Sequence, residues 1–424
     1  MKTLISFILF ITSIALSGQS DFDKYFIDKV LRFDFMLAGN NQKTLVYPVG
    51  MKEEPFWAGS NTNLINPFNS GNFKYELFDE SGKTLIYSRA FSTLFQEWQT
   101  TAEAKTIERS YYEVATMPYP KEKVRFVLSK RERNGLFSEL YETVIDPSSY
   151  FIRKENPIKV ATTKIYNGGD PHTSVDLAFI AEGYTANEMG KFRDDVKKMA
   201  DYLFAEAPFS DYKNKFNIWA VEAISQESGT DIPGENIYVN TALNSSFYTF
   251  DLARYLTTQD IKAVNDFAAA VPHDNIIVLI NSNRYGGGGV YNYYSGTTTG
   301  NQLSPKVFIH EFGHGFAGLA DEYYSSSVTY DEFYPLNVEP WEPNITTRVN
   351  FESKWKKMIT SDIPQPTPSE EKFNNVTGLF EGGGYSAKGI YRSEMDCRMK
   401  SNGSKGYCAV CRTAVKEMIE FYLK

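Results

Sequence analysis

The sequence predicts an α+β chain of two domains, an N-terminal antiparallel β-sandwich followed by an α/β domain. Three observations carry that expectation. Residues 22–150 fall into short runs that alternate apolar and polar side chains and are broken by turn residues, the pattern of half-buried antiparallel strands. From about residue 175 the runs become almost continuously apolar and are separated by a helical pattern, as in a sheet buried on both faces. At 424 residues the chain is also longer than one core usually serves. A composition 42% hydrophobic and 15% aromatic excludes a disordered chain. The net charge of −8 removes any electrostatic case for nucleic acid or an anionic membrane as partner.

The start, MKTLISFILFITSIALSGQS, reads as a signal peptide over residues 1–18. Lys2 supplies the positive start, Leu4 to Leu16 the apolar run, and Ala15-Leu16-Ser17 a small-residue cleavage pattern. The run is short for a membrane span. A lipoprotein would need a cysteine just after Ser17 or Gly18, where Gln19 stands. The expectation is an exported protein without a membrane span, periplasmic, cell-surface or secreted, with domains at 19–155 and 156–424.

In the first domain, FKYELFDESGKTLIYSRAF and KVRFVLSKRERNGLFSELYETVI carry Asp79–Gly82 and Asn134-Gly135 at their tips, which are hairpin signals. No histidine occurs there, so the module is read as structural or positioning, with glycan binding as a role that could coexist. After a polar stretch, VDLAFIAEGY (175–184) is a buried strand. Thr185 and Glu188 then form a capping box opening a helix to about Ala207. FNIWAVEAI (216–224) and NIIVLIN (275–281) are two further buried strands. The run RYGGGGVYNYYSG (284–296) lacks the lysine and hydroxyl of a phosphate loop. It reads as an edge strand whose bare backbone admits a peptide, with Gly287, Gly288 and Gly289 as substrate contacts.

The chemistry concentrates in HEFGHGFAGLADEYY, residues 310–324, on a helix that Ser304-Pro305 opens. His310 and His314 are one turn apart on one face, the spacing for two corners of a tetrahedral zinc site. Glu311, one position round, can reach a water at the metal without ligating and serve as general base. A third ligand is needed. His172 and His273 are remote in sequence, whereas Asp321 can fold back if the chain turns at Gly318. Glu322 is the alternative, and whichever carboxylate does not ligate would orient the other. Tyr323, with Tyr324 and Tyr291, could donate to a developing oxyanion; Arg284 and Asp231 are further candidates for substrate contact. The three cysteines, Cys397, Cys408 and Cys411, suggest a disulfide in an exported chain, Cys397 with Cys408 or with Cys411. A zinc knuckle is the rival, but three thiolates are one ligand short.

HEFGHGFAGLADEY resembles the metzincin-type pattern, with a closing aspartate in place of histidine. More specifically, the chain resembles the IgA-peptidase-like zinc metallopeptidase family of secreted bacterial proteins. FIAEGYTANE (179–188), FNIWAVEAISQESGTDIP (216–233), VLINSNRYGGGG (278–289) and MDCRMKSNGSKGYCAVC (395–411) extend the likeness. The resemblance implies a metzincin-like zinc endopeptidase domain behind a β-sandwich, with His310 and His314 as ligands and Glu311 as base. It also implies a methionine turn beneath the metal, with Met399 ahead of Met395. Gly318 and Asp321 each fall one residue later than the metzincin pattern places its glycine and last ligand, which leaves the third ligand open. The expected function is therefore a secreted metalloendopeptidase that hydrolyses peptide bonds in extracellular proteins or glycoproteins. The alternative is a catalytically silent surface protein that binds glycan or protein on the same fold.

Overall fold

The structure, a computed structural model, describes residues 22–324 and 333–424. The expected signal peptide, residues 1–18, lies outside the described residues. After a helical turn, α1 (Phe22–Tyr25), come β1 (Phe26–Gly39), β2 (Thr44–Glu54), β3 (Phe73–Phe78) and β4 (Leu85–Phe91). A short helix, α2 (Leu94–Trp98), precedes β5 (Arg109–Pro120), β6 (Val124–Arg131), β7 (Phe137–Ile145) and β8 (Ile152–Arg153). They form two four-stranded sheets, ordered β5-β1-β2-β8 and β4-β3-β6-β7. Strict alternation buries Phe73, Tyr75 and Leu77 of β3. Those side chains meet Phe33 and Phe35 of β1 and Phe126 of β6 in one shared aromatic core. Both expected hairpin tips form. Asp79 accepts from the Ser81 hydroxyl at 2.6 Å, Gly82 takes φ +71°, and Gly135 takes φ +84°, conformations that glycine adopts without steric cost.

The second half contains β9 (Thr162–Tyr166), β10 (Val175–Glu182), α3 (Met189–Ala205), β11 (Phe216–Val221), α4 (Ile261–Ala268) and β12 (Asn275–Ile280). It continues through β13 (Gly287–Val290), β14 (Tyr294–Thr298), α5 (Ser304–Ala317), β15 (Ile345–Thr346), β16 (Phe380–Gly383), β17 (Ser386–Arg392) and α6 (Ala409–Tyr422). Six of these strands make a mixed sheet ordered β13-β14-β12-β10-β11-β9. The four central strands run parallel and both edge strands antiparallel. Every residue of β10 is buried, because α3, α5 and α6 cover one face of the sheet and α4 the other. The capping box opening the α3 region is present: the Thr185 amide donates to the Glu188 carboxylate at 2.9 Å.

The two halves are locked by buried charge. Arg32 and Lys52, on β1 and β2, reach Asp266 of α4 at 2.7 and 2.8 Å. Burial works against the Asp266 charge, but Lys262, Lys52 and Arg32 overcome it and hold the carboxyl down to about 2. Such networks specify geometry more than they add stability. Hydrogen bonds from Ser92 N to Tyr291 O (2.9 Å) and from Asn292 Nδ2 to Ala90 O (2.8 Å) fix α2 beside the β13–β14 turn.

Candidate metal centre and its cleft

Helix α5 carries the histidines, and glycines let it lie unusually close to its neighbours. A Cβ on Gly289 would sit 2.2 Å from the Glu311 carbonyl oxygen, and one on Gly315 would sit 2.1 Å from Ser295 Oγ. On the opposite side, a Cβ on Gly313 would lie 2.8 Å from Met399 Sδ. The helix therefore rests between the glycine strand β13 and the fully buried Met399. Ser304 is the first helical residue rather than the cap, which is Leu303; the Ser304 hydroxyl instead meets Thr298 Oγ1 at 3.2 Å.

The His310 and His314 rings lie nearly perpendicular at 4.7 Å. His310 Nδ1 faces the Arg398 carbonyl at 2.9 Å and His314 Nδ1 the Leu319 carbonyl at 2.5 Å. A carbonyl can only accept, so each Nδ1 carries a proton, and Nε2 is the nitrogen that each ring, when neutral, offers to a metal. Those Nε2 atoms are 3.1 Å apart. The chain then turns at Gly318, in the left-handed region (φ 62°, ψ 33°), closed by Gly318 N to His314 O and Leu319 N to Gly313 O. This turn returns Asp321 to the helix: its Oδ1 lies 3.0 Å from His310 Nε2 and 3.4 Å from His314 Nε2. Buried Oδ1 finds no well-aligned hydrogen-bond donor, while Oδ2 accepts from the Tyr385 hydroxyl at 2.5 Å.

These three donors fit a tetrahedral divalent ion. Metal–ligand arms of 2.0–2.1 Å place neighbouring donors about 3.3 Å apart, against 3.1, 3.0 and 3.4 Å here. Without a metal ion the cluster would need a proton in its place, and the electrostatics say the same. Burial pushes the His314 pKa down, yet Asp321 and then Glu311 raise it to about 9. Burial likewise opposes the Asp321 charge, and the two histidines draw that carboxyl well below its usual range. Glu322, the alternative ligand, is not at this centre, nor does it orient Asp321. Successive residues of an extended segment face opposite sides, and the Glu322 carboxylate meets Asn344 Nδ2 at 3.0 Å and Cys411 Sγ at 3.3 Å. Tyr385 holds Asp321 instead.

The centre opens into a cleft of about 610 Å³ whose lining includes Glu311, Tyr323 and Arg254. Burial raises the Glu311 pKa, partly offset by His310 and His314. Gly287 and Gly289 line the cleft and Gly288 does not; it backs against Tyr255 and the Leu256 carbonyl. The β13 edge is also partly occupied by the chain itself, since Leu256 N donates to Gly287 O at 3.2 Å. A peptide edge is thus narrowed to Gly289, whose backbone faces the same way as that of Gly287 two residues before it.

A scan against family models matches residues 163–376 and 369–419 to IgA Peptidase M64, and residues 21–142 to Peptidase M64 N-terminus. The chain belongs to the IgA peptidase M64 family. A search of curated proteins returned no match. Membership of the M64 family makes the chain a peptidase of a metal-dependent type, acting on protein. Among the described residues no helix is long and apolar enough to cross a membrane.

Other expected positions of this M64 chain fall elsewhere. Arg284 pairs with Glu235, and the Asp231 carboxylate accepts from Val239 N at 2.8 Å; neither lines the cleft. Tyr291 does line the cleft, but its hydroxyl is engaged by Ser70 Oγ, which donates to it at 2.8 Å, and its ring packs on Trp341. The expected Cys397–Cys408 disulfide is absent, because all three cysteines are free thiols. The Cys397–Cys411 alternative fails too: those sulfurs are 3.7 Å apart, against about 2.05 Å in a bond. The cause is a common focus, since the three sulfurs converge on Glu322. Among the cleft residues that the sequence did not point to, three bear on the chemistry. Tyr385 is 64 residues from its partner Asp321. Glu97 projects from α2, accepts from Tyr255 Oη at 2.5 Å and is raised to about 7 by burial. Arg254 lies over the Tyr323 ring at 5.9 Å. No local pattern marks any of them.

Proposed function

We propose that this M64 peptidase is an exported zinc endopeptidase in which His310 Nε2, His314 Nε2 and Asp321 Oδ1 hold the metal and Glu311 is the general base. The observation that carries the reading is the convergence of those three donors at tetrahedral spacing, beside a cleft-facing glutamate. Bound zinc would supply Lewis acidity, acidifying a water and polarising the scissile carbonyl. The chain's own residues do the rest. The Glu311 carboxylate, its basicity raised by burial, takes the proton of the attacking water and passes it to the departing amine. Burial, reinforced by Asp321, holds the Tyr323 hydroxyl well above the ordinary tyrosine range, so it stays protonated and can donate to the carbonyl oxygen as charge develops. Tyr385 fixes the Asp321 carboxylate, and the Arg398 and Leu319 carbonyls fix the two imidazoles. Gly289 offers a backbone edge to substrate. The methionine turn is assigned to Met399, whose carbonyl accepts from Glu322 N at 2.8 Å.

The two N-terminal sheets around one core read as a β-sandwich over 19–155, and residues 156–424 as a metzincin-like catalytic domain. The sandwich is more than an appendage in this reading, because Glu97 and Gln96 wall the cleft. The leader at 1–18 directs the protein out of the cytoplasm, towards extracellular proteins or glycoproteins. The test is a cleavage profile of zinc-loaded protein on a proteome-derived peptide library, with and without a chelator. Internal cleavage that chelation abolishes and zinc restores supports the reading. No cleavage of any library member by fully metallated protein would overturn it.

A further inference from the structure

We propose that Glu322, Cys397, Cys408 and Cys411 bind a second zinc ion, structural and separate from the one in the cleft. The four side chains come from three parts of the chain: the segment after α5, the Met399 loop and the start of α6. Their donor atoms all lie within 4.8 Å of one another, and all four residues are buried. Tetrahedral zinc–sulfur arms of 2.3 Å put two sulfurs about 3.8 Å apart, and a sulfur and a carboxylate oxygen about 3.5 Å apart. Cys397 Sγ and Cys411 Sγ are separated by 3.7 Å. Glu322 Oε1 lies 3.3 Å from Cys411 Sγ and 3.9 Å from Cys408 Sγ. The polar groups are already arranged for charged sulfur. Cys408 N donates to Cys397 Sγ at 3.2 Å, Cys411 N to Cys408 Sγ at 3.3 Å, and Ser393 Oγ lies 3.2 Å from Cys408 Sγ. Cys408 caps α6, a helix of 14 residues, so the helix dipole favours negative charge there.

One feature is left unexplained by an ordinary core or by a disulfide. Glu322 Oε2 is fully buried and has no hydrogen-bond partner, a costly state for a carboxylate unless a cation or a proton neutralises it. A Cys397–Cys411 disulfide would consume two sulfurs and still strand Glu322 beside Cys408. A soft, sulfur-rich tetrahedral set with one oxygen selects zinc over the hard cations. The three thiols release their protons on binding. Three thiolates and a carboxylate around a divalent ion leave two negative charges in excess, against which stand Arg392, 2% exposed and in electrostatic contact with Glu322, and Lys400, in electrostatic contact with Glu322 and Cys397. The fourth ligand is what three cysteines alone lack, and it comes from 75 or more positions earlier in the chain.

The site would brace the cleft centre from behind. Glu322 follows Asp321 directly, and its amide donates to Met399 O at 2.8 Å. Cys397 precedes Arg398, whose carbonyl orients His310. One buried ion would thus tie together the segment bearing Asp321 and the loop bearing both the His310 acceptor and Met399. The inference stands on these contacts and not on the peptidase reading.

The full exported chain, purified under reducing conditions, should contain two equivalents of zinc by elemental analysis. With cobalt(II) replacing zinc, it should show thiolate-to-cobalt charge-transfer absorption in the near ultraviolet, which a site of two histidines and an aspartate cannot produce. The His310→Ala/His314→Ala variant should keep that band and one metal equivalent. Cys408→Ser/Cys411→Ser should lose the band and keep the other equivalent. If the cysteine variant fails to fold, the wild-type and histidine-variant spectra still decide. One metal per chain without a charge-transfer band, or a Cys397–Cys411 disulfide in the purified protein, would overturn the proposal, whatever its activity on peptides.

Discussion

Replacing Gly289 by alanine adds one methyl group where the structure has no room for it. The new Cβ would meet the Glu311 carbonyl oxygen at 2.2 Å, the carbonyl carbon at 2.9 Å and Cα at 3.0 Å. All three are helix backbone, which cannot rotate aside as a side chain can. Ordinary contact begins at 3.4 Å, so α5 and β13 must separate by about 1 Å or the strand must buckle. Overpacking of this kind costs about 1–3 kcal/mol, a fall of several degrees in Tm for a domain of this size. The atom struck belongs to the proposed base itself, and a 1 Å misplacement can cost about 100-fold in rate. The expected outcome is a folded, less stable variant with kcat/KM on a cleaved peptide reduced ten- to a hundredfold. Gly190→Ala is the control: it has nothing within 4 Å, lies in α3, and should be neutral or gain up to about 1 kcal/mol. Chemical denaturation and initial rates on metallated protein measure both. A Gly289→Ala protein with wild-type stability and a rate within twofold would refute the claim that glycines seat α5 against β13.

Tyr385→Phe removes the hydroxyl that holds Asp321 Oδ2 and should weaken zinc binding in the cleft by about 10- to 100-fold, read by chelator competition. Asp321→Ala should weaken it further, and the reverse ranking would show that Asp321 is not a ligand. The His273 pKa is lowered to about 4 by burial, against the backbone carbonyls that favour its charge and with Arg89 nearby. A depressed histidine contributes stability that is fully present above about pH 6.5 and is lost as pH falls towards 4. Unfolding free energy should therefore drop by about 2–3 kcal/mol across that window, and His273→Gln should flatten the drop. An unchanged slope in the variant would place the titration elsewhere.

What the sequence made legible was local. The β10 strand announced itself by unbroken apolarity, the α3 start by Thr185 and Glu188, and the hairpins by Asp79–Gly82 and Asn134-Gly135. The His310–Glu311–His314 spacing needs only helix geometry, and the return of Asp321 needs only a left-handed glycine at 318. The rest depends on contacts between distant segments. Tyr385 reaches Asp321 across 64 residues, and Tyr255 reaches Glu97 across 158, so neither pairing leaves a local trace. The glycine run was legible as an edge strand. Its tightest constraint, however, comes from the helix beneath it, and Leu256 already occupies part of the edge. The cysteines misled because counting within one short window favours a disulfide, whereas the group they converge on is a glutamate far upstream.

The most direct test of the account is Glu311→Gln in the full chain. The substitution keeps the shape of the side chain and leaves both imidazoles and Asp321 in place, but it removes the base. The variant is expected to retain the wild-type zinc content and thermal stability while cleavage of peptides cut by the wild type falls by at least 100-fold. Cleavage at an undiminished rate by a fully metallated Glu311→Gln protein would contradict the account at its centre.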